Sequence, residues 1–68
     1  MTVSIIVNEK RYTFDNEMTI DVLLQKFEMD LSKIAVELNL EIIPKSEYQS
    51  TPLNDGDQLE IVHFVGGG

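Results

Sequence analysis

Cysteine is missing from these 68 residues. Its absence excludes a disulfide framework, a thiolate nucleophile and a zinc–thiolate cluster. There is one histidine, His63, too few for a histidine metal pair. Positive charge is scarce: five Lys and Arg stand against twelve Asp and Glu, a net charge of −7. That sign repels phosphate backbones, so nucleic acid is excluded as a partner and a basic protein surface is favoured. No apolar run approaches the ~18 residues of a membrane span, and the start has no cationic stretch leading into a long apolar one. The expectation is a soluble cytoplasmic protein without a membrane anchor. The length allows one small domain, near the lower limit for a self-sufficient core, with no second domain to enclose a cleft.

What is present is a hydrophobic pattern that changes period several times. Val3, Ile5 and Val7 alternate with Thr2, Ser4, Ile6 and Asn8, the pattern of a half-buried strand. A turn at Asn8-Glu9-Lys10 leads to a second strand over 11–14, completing a hairpin. Asp15-Asn16-Glu17 breaks that strand. Thr19 stands as N-cap of a helix over 20–28, in which Ile20, Leu23, Leu24 and Phe27 share one face. Residues 34–38 are β-prone, Asn39-Leu40-Glu41 is a turn, and Ile42-Ile43 is a short strand stopped by Pro44. One helical turn is expected over 44–48, with Tyr48 capping the core. Asn54-Asp55-Gly56-Asp57 is a turn before a last strand over 58–64. The fold class is therefore α+β, a sheet of about five strands with one main helix on one face and the other face partly open to solvent.

Internal candidates for chemistry are weak. Asp55-Gly56-Asp57 lacks the further oxygen ligands of a calcium loop. Glu37 and Glu41 read as solvated charges, and His63 as a rim histidine. The end of the chain is different. In the last strand Leu59, Ile61 and His63 point to one side, and Gln58, Glu60, Val62 and Phe64 to the other. With Leu59 and Ile61 in the core, Val62 and Phe64 face outward immediately before Val65-Gly66-Gly67-Gly68. Glycine has no Cβ, so such a run threads a channel too narrow for other residues. A domain over 1–64 with a flexible glycine tail over 65–68 is the expected organisation. From residues alone the tail is open to two readings, slack chain or a segment gripped by a partner.

A resemblance narrows the choice. The hairpin, Thr19-Ile20-x-x-Leu23-Leu24, Ile34-Ala35-Val36-Glu37-Leu38-Asn39, Ile43-Pro44, Leu53-Asn54-Asp55-Gly56-Asp57, Glu60-Ile61-Val62 and the terminal glycines resemble the ThiS family of thiamine-biosynthesis sulfur carriers. The resemblance covers essentially the whole chain. It implies a ubiquitin-like β-grasp fold with the first and last strands parallel and adjacent at the sheet centre. It also implies a protein co-substrate rather than an enzyme. An adenylyltransferase similar to ubiquitin-activating enzymes (ThiF type), using its own ATP and magnesium, would adenylate the Gly68 carboxylate. A persulfide-bearing protein would then supply sulfur, and the resulting thiocarboxylate would feed thiazole synthase (ThiG type). With no cysteine in the chain, the sulfur must come from outside. Gly66 and Gly67 would thread the partner's channel, and Val62, Phe64 and Val65 would form the partner interface. Residues 65–68, extended, span about 13–14 Å at 3.3–3.6 Å each. The chain departs from the family pattern at Lys45, where arginine is frequent, and at Leu40 after Asn39, where glycine is frequent. Three alternatives remain open at this point: a small subunit of molybdopterin synthase, a ubiquitin-like protein modifier, and a β-grasp binding module with an inert tail.

Overall fold

The computed structural model describes residues 2–64. Five strands form a mixed sheet in the order β2-β1-β7-β4-β5. They are β1 (Val3–Val7), β2 (Lys10–Phe14), β4 (Ile34–Leu38), β5 (Glu41–Ile43) and β7 (Gln58–His63). A separate two-stranded ribbon pairs β3 (Met18–Thr19) with β6 (Pro52–Leu53). The last strand lies at the centre, parallel to β1 and antiparallel to β4. This is the arrangement that the resemblance implied.

Alternation decides which face is covered. Val3, Ile5 and Val7 of β1, Leu59 and Ile61 of β7, and Ile34 and Val36 of β4 are all buried. Helix α1 (Ile20–Lys26) lays Ile20, Leu23 and Leu24 against them, each fully buried. Burying such a side chain contributes roughly 1.5–3 kcal/mol, so this one layer supplies most of the hydrophobic stabilisation. Tyr48 and Leu53 close the core, and no polar or charged residue among those described is buried.

The helix is shorter than the expected 20–28. Glu28 adopts φ 56°, its N–H donates to the Gln25 carbonyl at 3.0 Å, and the Met29 N–H reaches back to Leu24 at 3.0 Å. This is a Schellman stop built on glutamate instead of glycine, which hid it from sequence inspection. Thr19 does occupy the N-cap position, but its hydroxyl donates to the Asp21 carboxylate rather than capping the helix. The first amides are satisfied from elsewhere, Ile20 N–H by the Thr51 carbonyl and Asp21 N–H by that of Tyr48. Two further 3-10 turns occur, Leu31–Lys33 and Lys45–Glu47, the second with Pro44 as its N-cap.

Both hairpins turn on two residues with positive φ: Asn8 (49°) and Glu9 (69°), then Asn39 (50°) and Leu40 (73°). Paired left-handed residues match the twist of adjacent strands. Asparagine tolerates that conformation, whereas leucine is strained by about 1–2 kcal/mol. Leu40 is also 86% exposed, so its side chain gives little back. Replacing Leu40 with glycine is expected to stabilise the domain by about 0.5–1 kcal/mol after the extra unfolded-state entropy of glycine is subtracted. A rise of several degrees in Tm is the check; a fall would mean that Leu40 is not strained.

Candidate functional site

The open face of the sheet is set by the strand registers. Pairing of Ala35 with Val62, Glu37 with Glu60, and Glu37 with Ile42 places these side chains on the side away from α1. Val62 is 48% exposed, Phe64 54% and Ile42 75%. The outward orientation of Val62 and Phe64 expected from strand parity is what the structure has. Together with Ala35 they form an apolar row at the end of the central strand, and Ile42 lies diagonally beside it.

Between those apolar residues stand two carboxylates directly opposite each other, Glu37 and Glu60. Like charges facing across a ladder are destabilising by a few tenths of a kcal/mol or more. Neither has a salt-bridge partner among the described residues, where the one ion pair is Lys33 with Asp30 at 3.9 Å. The face thus combines exposed apolar area with negative charge that no described ion pair offsets.

The end of β7 is held in place. Beyond His63, the Phe64 N–H still donates to the Lys33 carbonyl at 2.8 Å, extending the contact with β4 by one residue. Lys33 is itself fixed by the 3-10 turn that Asp30 caps. The Ser32 hydroxyl and amide donate to the Asp30 carboxylate at 2.7 and 3.0 Å, holding its pKa below the usual range. Val65, Gly66, Gly67 and Gly68, assigned by the sequence to the interface and the threading tail, lie outside the described residues.

Elsewhere among the described residues nothing assembles into a reactive centre. No group of three His, Cys, Asp or Glu among them is placed to hold a metal ion. His63 is exposed at the rim, as expected. Tyr48, 3% exposed, has its hydroxyl pKa raised by burial, which keeps the proton in place and suits a packing residue. An open hollow lined by Phe14, Asp15, Glu17, Met18, Val22 and Lys26 lies at the opposite end of the molecule from Phe64. No helix among the described residues is long and apolar enough to cross a membrane.

Comparison with known proteins places this geometry in context. The model of the ThiS family matches residues 4–68. The sulfur carrier protein ThiS of Bacillus subtilis is 48% identical over 50 residues, covering 74% of this chain and 76% of that protein. A thiazole synthase of Paramagnetospirillum magneticum is 48% identical over 64 residues, 94% of this chain. The chain spans only 20% of the length of that synthase. Among solved structures, the crystal structure of a thiamine biosynthesis protein (ThiS) from Geobacter metallireducens superposes with a TM-score of 0.85 at 30% identity, covering 97% of this chain and all of that one.

Proposed function

The chain belongs to the ThiS family, and from that premise we propose that it is a protein co-substrate, a sulfur carrier for thiazole formation in thiamine biosynthesis. The observation that carries this reading is the end of the central strand, held between its neighbours up to Phe64. In the sequence only Val65 separates the glycines from Phe64, which stands with Val62 among the exposed apolar residues at that end of the strand. Such a strand presents the glycine segment from a fixed point on a rigid body.

The chemistry starts from the poor electrophilicity of a carboxylate. A partner adenylyltransferase lets a Gly68 carboxylate oxygen attack the α-phosphorus of ATP, with loss of pyrophosphate. The acyl-adenylate carbonyl is then open to the terminal sulfur of a persulfide on a donor protein, and AMP departs. A thiol attacks the donor-protein sulfur of the resulting acyl disulfide, forming a new disulfide with it as the S–S bond to the acyl sulfur breaks and the thiocarboxylate leaves. In this sequence ATP and magnesium belong to the partner, and the role of this chain is delivery. A thin glycine arm admits the carboxylate to a closed site while the domain stays outside. The similarity to a stretch of a protein named thiazole synthase supports that enzyme as the client for the sulfur.

Intact mass before and after incubation with the adenylating enzyme, ATP and a persulfide donor tests the proposal. The expected product has one oxygen replaced by sulfur, located by fragmentation to the C-terminal residue. An unchanged mass with an otherwise active partner would overturn the carrier reading in favour of a binding module.

A further inference from the structure

The strand that carries the tail is gripped by side chains as well as by its neighbours. β1 ends at Val7, and its ladder with β7 reaches only Ile6–Gln58 and Val7–Leu59. One more backbone bond lies beyond it, from the Asn8 N–H to the Leu59 carbonyl at 2.9 Å. There the chain turns away into the left-handed pair Asn8-Glu9. Ile61, only 4% exposed, would be left with an N–H and a carbonyl facing the side that β1 has vacated.

The Asn8 side chain fills that gap. Its Oδ1 accepts from the Ile61 N–H at 2.7 Å, and its Nδ2 donates to the Ile61 carbonyl at 3.1 Å. A primary amide offers a donor and an acceptor side by side, so it reproduces the pair of bonds that a strand residue would make. Leaving both Ile61 groups unpaired would carry a desolvation penalty at each. A carboxylate would satisfy the N–H and repel the carbonyl. The position therefore has two requirements, tolerance of positive φ and an amide, and asparagine meets both.

A counterpart lies at the other end of the same strand. Asn39, first residue of the second left-handed turn, accepts from the Gln58 N–H at 3.0 Å and donates from its side chain to the Asp57 carboxylate at 3.1 Å. The two asparagines thus clamp β7 near its two ends and from opposite sides, Asn39 where the strand begins and Asn8 three residues before Phe64. Only the second is close to the point where the tail departs.

We propose that Asn8 is a positioning residue for adenylation, fixing the end of the terminal strand from Ile61 to Phe64; its catalytic consequence rests on the carrier reading. Without the clamp, the end of β7 is bonded from the β4 side alone, and binding to the partner must first order it.

Asn8→Gly and Asn39→Gly make a matched pair, since glycine preserves each turn while removing each clamp. Amide exchange and ATP–pyrophosphate exchange with the adenylating enzyme are the readouts. In Asn8→Gly the Phe64 amide, whose own bond to Lys33 is untouched, is expected to exchange about tenfold faster. The KM for the carrier rises about tenfold with kcat within about twofold, as loss of pre-organised binding requires. Asn39→Gly loses comparable stability yet leaves KM and Phe64 exchange within about twofold of the parent. If the two variants shift KM equally, or if Phe64 exchange is unchanged in Asn8→Gly, the proposal is overturned. Should Asn8→Gly fail to fold, Asn8→Asp, which keeps the turn and the bond to the Ile61 N–H, is held to the same criteria with a smaller shift. A parent protein that is not adenylated at all overturns the carrier reading instead, and Phe64 exchange alone then decides whether Asn8 fixes the end of the strand.

Discussion

Removal of Gly67 and Gly68 is expected to abolish adenylation while leaving the thermal unfolding of the domain unchanged. Among the described residues the buried core lies between Val3 and Ile61, and the last described backbone bond is at Phe64, so the deletion removes no described contact. Stability should stay within about 0.5 kcal/mol of the parent, as for surface changes away from caps and cores. The effect on activity is of another order. A carboxylate remains after deletion, but it ends the chain at Gly66, two residues short, roughly 6.6–7.2 Å of extended backbone. A misplacement of about 1 Å already costs on the order of a hundredfold in a reaction that depends on alignment. Deleting Gly68 alone leaves the carboxylate one residue short and should also reduce the rate below detection. ATP–pyrophosphate exchange and a melting curve on the same samples provide the comparison. Adenylation of the truncated protein at the parental rate would mean that Gly68 is not the site.

The parts of this fold that were legible in sequence are those governed by short-range periodicity. The alternation at Val3, Ile5 and Val7 and at Leu59 and Ile61 marked the buried face, and Ile20, Leu23 and Leu24 marked the helix stripe. The central, parallel placement of β7 was not legible in that way. It depends on a pairing between residues more than fifty positions apart, and only family resemblance supplied it. The ribbon of β3 with β6 was missed because two-residue strands leave no periodic trace and because Pro52 argues locally against a strand. The helix stop at Glu28 was missed because the residue in the left-handed position was not glycine.

The candidate site divides along the same line. The outward parity of Val62 and Phe64 comes from the alternation within one strand and was visible at once. The opposition of Glu37 and Glu60 depends on the register between two strands, so in sequence Glu37 reads as a solvated charge and Glu60 only as an outward position of the last strand. The Asn8 clamp joins residues 53 positions apart. In sequence Asn8 could be recognised only as a turn former, because its second role exists only after β7 has been laid beside β1.

Phe64→Ala should separate partner binding from stability more cleanly than any other single change in the described residues. The side chain is 54% exposed and contributes nothing to the buried core, so unfolding free energy should change by about 0.5 kcal/mol or less. At an interface the same truncation removes an aromatic anchor adjacent to the threaded segment, where losses of about 2 kcal/mol, or roughly 30-fold in Kd, are typical. The Glu37–Glu60 pair provides an internal control of opposite sign. Glu60→Gln relieves a like-charge contact in the free domain, raising its stability by a few tenths of a kcal/mol. Yet it removes charge complementary to a basic partner, so association should slow, most visibly at low ionic strength. A residue that matters only for folding cannot give weaker binding with unchanged or increased stability. If Phe64→Ala lowers Tm and leaves Kd untouched, Phe64 belongs to the packing of the domain, and the open face must engage its partner without it.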